Sequence, residues 1–162
     1  MTPVSREELT EKLVEARIRS RLRRIIRYVP EEIKNWELRD FLAVTDKSRR
    51  EGALLFEDYV VPFALSARTR NAHGRTEAII CDICASWRRG PESAVITFSR
   101  DATTQVSYLV CGDLDCSLHV RGVTDAGKLS RTQIREDITP DGRITRLHER
   151  LRNILGHVTN HA

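Results

Sequence analysis

Four cysteines stand in two pairs, Cys81 with Cys84 and Cys111 with Cys116, and the chain has no others. The pairs read CDIC and CGDLDC, with 26 residues between them. Two thiolates separated by two residues can turn toward one ion in a tight knuckle. A second pair brought alongside completes a tetrahedron, so the spacing predicts a single Zn²⁺ held by Cys81, Cys84, Cys111 and Cys116. The competing reading is four buried or redox-active thiols. Met1 is followed by Thr-Pro-Val-Ser-Arg-Glu-Glu, which lacks the apolar segment of an export signal. The expected location is therefore cytoplasmic, where thiols stay reduced and metal binding is favoured over disulfides. No run approaches the roughly 18 apolar residues that span a bilayer, so no membrane partner is expected.

A site closed by four cysteines has no open position for a reacting water, which argues for a structural ion. His119, three residues after Cys116, is an alternative ligand, and His73 a weaker one. His148, His157 and His161 read as solvated or capping residues. His148-Glu149 has no second histidine at zincin spacing, and neither a P-loop nor a glycine-rich dinucleotide fingerprint occurs. No cysteine is left over as a nucleophile. The expectation is a binding protein and not an enzyme.

Its contact residues would be those displayed around the metal: Trp87, Arg88, Arg89, Tyr108, His119 and Arg121. Aromatic and arginine side chains on a rigid support suit a protein interface or RNA. For Trp87 and Tyr108, packing around the metal site is an equal alternative.

The elements that must position these residues are expected to make an α+β protein. A net charge of +4 favours an acidic partner without requiring one. Ser5 with Glu8 forms a capping box that opens a helix over residues 5–28. Its apolar positions change face: Leu9, Leu13 and Ala16 share one stripe, and Ile18, Leu22, Ile25, Ile26 and Val29 another. Either the helix breaks near 16–18 or its two ends pack against different neighbours. Arginines crowd its second half, so Arg17, Arg21 and Arg24 are candidates for RNA phosphate contact. A solvated face is the plainer reading.

Pro30 stops this helix and can open a short second one. Trp36, Leu38, Phe41 and Leu42 are spaced like a turn or two of helix, and Thr45 to Gly52 reads as a polar turn. Residues 53–56 and 60–65 predict a hairpin in which Pro62 marks an edge or a bulge. Residues 94–98 and 106–110 predict a second hairpin that delivers Cys111, followed by a short helix over 113–120 carrying Cys116. Residues 121–138 read as loop. The last helix is capped by Thr139, starts at Pro140 and stops at Gly156. Two regions are expected: an N-terminal helical one over 1–50, and an α/β one over 51–162 that holds the finger at about 78–122 and the C-terminal helix.

Knuckle, hairpin and ligand-bearing helix follow in treble-clef order. CDICASWRRG followed by YLVCGDLDCSLHVRG resembles the C-terminal treble-clef zinc finger of the FBP family, the FusB-like elongation factor G-binding proteins. The resemblance is carried by the paired cysteines, the Trp87-Arg88 step after the knuckle, Tyr108 before Cys111, and the closing LHVRG of residues 118–122. The segment WELRDFL at 36–42 resembles the family's upstream part more loosely. The resemblance implies a two-part protein, with Cys81, Cys84, Cys111 and Cys116 as zinc ligands and the finger as contact surface. It implies binding to elongation factor G and aid in its release from the ribosome. A translation-associated housekeeping role is carried over in preference to drug resistance itself.

Overall fold

The computed structural model describes residues 1–68 and 70–159. The chain divides into two compact units, Met1–Leu65 and Ser66–Ala162. The first contains the helices α1 (Arg6–Glu15) and α2 (Ser20–Ile25) and the strands β1 (Ile26–Arg27), β2 (Leu42–Asp46), β3 (Glu51–Phe56) and nearly all of β4 (Tyr59–Ala67). The second contains β5 (Ile79–Ile80), β6 (Trp87–Arg88), β7 (Ser93–Ser99), β8 (Gln105–Cys111), α3 (Cys116–Val120), α4 (Asp125–Ile134) and α5 (Pro140–Thr159).

In the first unit the change of apolar face along residues 5–28 is a break. Ser5 Oγ accepts the Glu8 N–H at 3.0 Å and starts α1 as the capping box predicts. The helix ends after Ala16, where Arg17 takes a left-handed conformation at φ 54. Arg17 N–H then bonds Val14 C=O, and Ile18 N–H bonds Leu13 C=O. These two bonds form a Schellman closure, with Ile18 and Leu13 in one buried cluster. The chain leaves at a new angle, so Leu22 on α2 reaches the same core as Leu9 and Leu13 on α1.

That core is completed by β2 and β3. Leu42, Val44, Ala53 and Leu55 are buried in it, and β2 pairs antiparallel with β3 over Leu42↔Leu55 to Thr45↔Gly52. The helical reading of Leu42 and the turn reading of Thr45 are therefore corrected. Leu42 and Val44 alternate inward, as a strand requires. The expected polar turn is shorter, and Asp46 organises it. Its carboxylate accepts the N–H groups of Ser48, Arg50 and Glu51, and these bonds hold its carboxyl well below the usual range.

The predicted hairpin of β3 and β4 is present without a bulge, its register running unbroken from Glu51↔Ala64 to Phe56↔Tyr59. Leu65 N–H bonds Arg50 C=O. Alternation from that bond places the Ala53–Pro62 pair at a position where β3 asks for no N–H, which is how proline fits here.

In the second unit β7 and β8 form the expected hairpin, Ser93↔Cys111 to Ser99↔Gln105. Residues 121–138, expected as loop, contain α4. Thr124 caps it, its hydroxyl oxygen accepting the Gly127 N–H at 3.1 Å. α5 begins at Pro140 with Thr139 Oγ1 accepting the Gly142 N–H. It runs through Gly156 instead of stopping there, because Leu155 and Val158 are both buried and the last turn stays packed. Helix continues to Thr159, and 160–162 lie outside the described residues.

Arg17 adopts a backbone conformation that disfavours L side chains by about 1–2 kcal/mol. Replacing it with glycine, Arg17→Gly, is expected to raise stability by about 0.5–1 kcal/mol after glycine's greater unfolded-state entropy is subtracted. The urea denaturation midpoint checks this, and a drop would show that the arginine side chain supplies more than it costs.

Candidate metal centre

The first ligand pair sits on a two-stranded ribbon. β5 and β6 pair as Ile79↔Arg88 and Ile80↔Trp87, so Cys81 to Ser86 form the tip. Cys81 N–H bonds Ser86 C=O at 2.9 Å and Ala85 N–H bonds Cys81 C=O at 2.8 Å. Closing this tip forces Ala85 to φ 56. The second pair spans the end of β8 and the start of α3. Leu114, between the ligands, is left-handed at φ 61 and its N–H bonds Cys111 C=O. Two compact reversals thus aim two thiols each into one space.

All four thiols are buried, and their sulfurs lie within 4.8 Å of one another. Cys81 Sγ is 3.8 Å from Cys116 Sγ, and Cys84 Sγ is 3.6 Å from Cys111 Sγ. A disulfide would need about 2.05 Å. An ion held by four sulfurs at about 2.3 Å puts neighbouring sulfurs about 3.8 Å apart in a tetrahedron. The donor set therefore fits a closed four-thiolate site.

The thiols also perturb one another. Hydrogen bonds with Cys111, Cys81 and Cys84, together with burial, push the Cys116 thiol well up. At Cys81 burial is outweighed by hydrogen bonds from Cys111, Cys116 and Cys84, which bring it well down. Like charges this close ionise together only with a cation among them.

Around the ligands lies a polar ring that sequence reading only partly anticipated. Arg88, named as a contact residue, is buried with its side chain 5% exposed. Its Nη2 donates to Asp113 Oδ2 at 3.0 Å. His119 is buried as well. Its Nε2 lies 3.1 Å from Asp113 Oδ1 and its Nδ1 lies 2.7 Å from Thr124 Oγ1. Burial alone would raise Asp113. The hydrogen bond and charge of His119, the Asp115 N–H and Arg88 hold it below the usual carboxylate range. His119 therefore braces the loop between Cys111 and Cys116, while the four cysteine sulfurs by themselves supply a full set of four donors. His73 sits in the turn ordered by Asn71 Oδ1, exposed, outside the cysteine group.

The other named residues lie nearer the surface. Arg89 is exposed, and Trp87 and Arg121 are half-buried. Arg121 Nη1 donates to Ser117 C=O. Trp87 N–H bonds Ser130 Oγ at 2.8 Å, which ties the knuckle to α4. Tyr108 is half-buried with its ring set edge-on to Phe98 at 6.3 Å. Two residues that the sequence reading passed over are more exposed than these aromatics: Ile80 at 57% and Leu109 at 36%. In the first unit, Arg17, Arg21 and Arg24 are all exposed, and Arg21 reaches Glu51 at 3.6 Å.

The cysteine tetrad, its knuckle, the β7–β8 hairpin and the ligand-bearing α3 together define a treble-clef zinc finger, a metal-binding class of protein. The chain belongs to the FBP C-terminal treble-clef zinc-finger family, whose model matches residues 8–158. No curated protein and no solved structure gives a significant match. Among the described residues no helix is long and apolar enough to cross a membrane.

Two outcomes test this centre. Cys84→Ser is expected to lose the bound metal and melt the finger, since binding and folding of such sites are one process. Elemental analysis with circular dichroism checks it, and full metal retention would remove Cys84 from the ligand set. Gly127→Ala would set a Cβ 2.4 Å from the His119 carbonyl oxygen. A clash with backbone at the α3–α4 approach is expected to cost about 1–3 kcal/mol, read as a lower thermal midpoint of the metal-loaded protein.

Proposed function

We propose that the protein is a non-enzymatic, zinc-loaded binding module that docks its finger on a protein partner, elongation factor G, in translation on the ribosome. The observation that carries this reading is the outer face of the finger. Asp82 N–H bonds Leu109 C=O at 2.8 Å, and Leu109 N–H bonds Asp82 Oδ2 at 2.6 Å. The knuckle is thereby fastened to β8, with Ile80 and Leu109 left open to solvent and Trp87 and Arg89 on the neighbouring strand and its exit. Exposed aliphatic groups on a support stiffened by metal make an apolar patch, and the tryptophan and arginine beside it are of the types enriched in binding hot spots. Arg88 and His119 support this face from within. The FBP resemblance supplies elongation factor G as the partner. Zinc is the ion that four thiolates in a closed tetrahedron select in a zinc-finger family.

A second reading is RNA binding through the first unit. Arg17, Arg19 and Arg24 are exposed and form no ion pair among the described residues, whereas Arg27 is held by Glu32. That reading requires RNA affinity that falls steeply with salt.

Calorimetric titration of purified elongation factor G tests the first reading. Ile80→Asp and Leu109→Asp should weaken binding at least tenfold with zinc content unchanged, and Arg24→Gln should leave it as it is. Absence of binding by the zinc-loaded wild type would sink the proposal. Tight, salt-sensitive RNA binding lost in Arg24→Gln would favour the second reading.

A further inference from the structure

Three arginines of α5 lie on one side of the helix, at positions 143, 146 and 150. Arg143 is buried at 9% exposure, and its Nε is enclosed with no hydrogen-bond acceptor. The Nε of Arg146 is likewise enclosed without an acceptor. Arg150 Nη1 donates to the carbonyl oxygens of Cys81 at 3.2 Å and Asp82 at 3.3 Å. Arg143 and Arg146 line a small cavity whose wall includes the ligand Cys84, and Glu136 is its one carboxylate. The cavity, about 10 Å³, has room for about one water.

An enclosed guanidinium Nε with no acceptor is tolerated where negative charge lies nearby to offset it. Glu136 offsets one, accepting paired hydrogen bonds from Arg146 Nη1 and Nη2. A positive surplus remains, facing the ligand cluster. Four thiolates around a divalent cation carry a formal charge of −2, buried in the same place. The hydrogen bonds that Arg146 donates to Glu136 outweigh burial in holding Arg146 charged.

We propose that Arg143, Arg146 and Arg150 are the counter-charge of the metal–thiolate centre, so that metal loading and the docking of α5 stabilise each other. This goes beyond the docking function above and stands or falls separately from it, because its test contains no partner. These arginines are positioning residues: they act through the ligand cluster and leave its four donors unchanged. The plainer alternative is that Arg146 serves only to pin the α4–α5 linker through Glu136. The two readings differ in sign at Glu136. Removing that carboxylate frees Arg146 to face the thiolates if the arginines are counter-charges, but loosens the site if pinning is all they do.

The test is zinc transfer from the loaded full chain to a chromogenic chelator, with helical circular dichroism of every variant recorded before chelation. Arg146→Gln and Arg150→Gln are expected to release zinc about ten- to a hundredfold faster than wild type, the scale of lost outer-sphere partners. Arg146→Lys, which keeps the charge, should stay near wild type. Lys128→Gln removes an exposed charge on α4 and should change nothing. Glu136→Gln should release zinc at the wild-type rate or more slowly. Hydrogen exchange is the second readout: α5 amides should lose protection when wild-type protein is stripped of zinc. Acceleration by Glu136→Gln equal to that of Arg146→Gln, or α5 protection unchanged on stripping, would overturn the proposal.

Discussion

Mutual repulsion of four buried thiolates is the constraint on which the second unit depends. Sulfurs 3.6 and 3.8 Å apart hold negative charge together only if a divalent cation sits among them. The local backbone is bent to serve that arrangement. Ala85 and Leu114 adopt left-handed conformations beside and between the ligands, at about 1–2 kcal/mol each. Neither position is glycine, so the strain is real. It is small against the roughly 10–16 kcal/mol that a structural zinc site contributes to folding. A metal bound by the four cysteines outweighs the backbone preference of this stretch.

The parts legible in the sequence are those where one signal dominates. Cysteine spacing picked out the four thiols that the fold gathers into one cluster, alternation identified β7 and β8, and Thr139-Pro140 with a leucine stripe identified α5. The parts not legible are those where tertiary contact overrides a local cue. Gly127 weakens the helical pattern of α4, yet it is there because α3 approaches so closely that a side chain would strike the His119 carbonyl. Gly156 reads as a helix stop, but burial of Leu155 and Val158 carries α5 past it. Leu42 and Val44 share their apolar character with Trp36 and Leu38, and only pairing with β3 turns them into a strand. The break after α1 was visible as a change of face. Its mechanism, a left-handed Arg17, was not, because glycine is the usual signal there.

Residue type alone also misplaced inside and outside around the metal. Arg88 and His119 look like contact residues, and both are buried because Asp113 lies between them as a shared acceptor. Ile80, next to Ile79 in the run that leads into Cys81, carries no sequence signal for exposure. A two-residue ribbon has one face to bury, however, and Ile79 takes it at 7% exposure while Ile80 is left at 57%. The apolar surface of the finger is thus a consequence of how short β5 is.

Asp82 shows how these features are joined. In the sequence it is a spacer between two ligands. In the fold its carbonyl accepts Arg150 from α5, its N–H bonds Leu109 C=O, and its carboxylate accepts the Leu109 N–H. Its neighbour Cys81 is a ligand whose own carbonyl shares the same arginine. Metal, C-terminal helix and edge of β8 therefore meet at one residue by hydrogen bonds that use mainly its backbone. Asp82 follows the ligand Cys81 directly in the chain and is bonded to Leu109 in both directions. The exposed face and the cysteine cluster are two ends of one short hydrogen-bonded connection, which ties the surface of this finger to the charge balance at its centre.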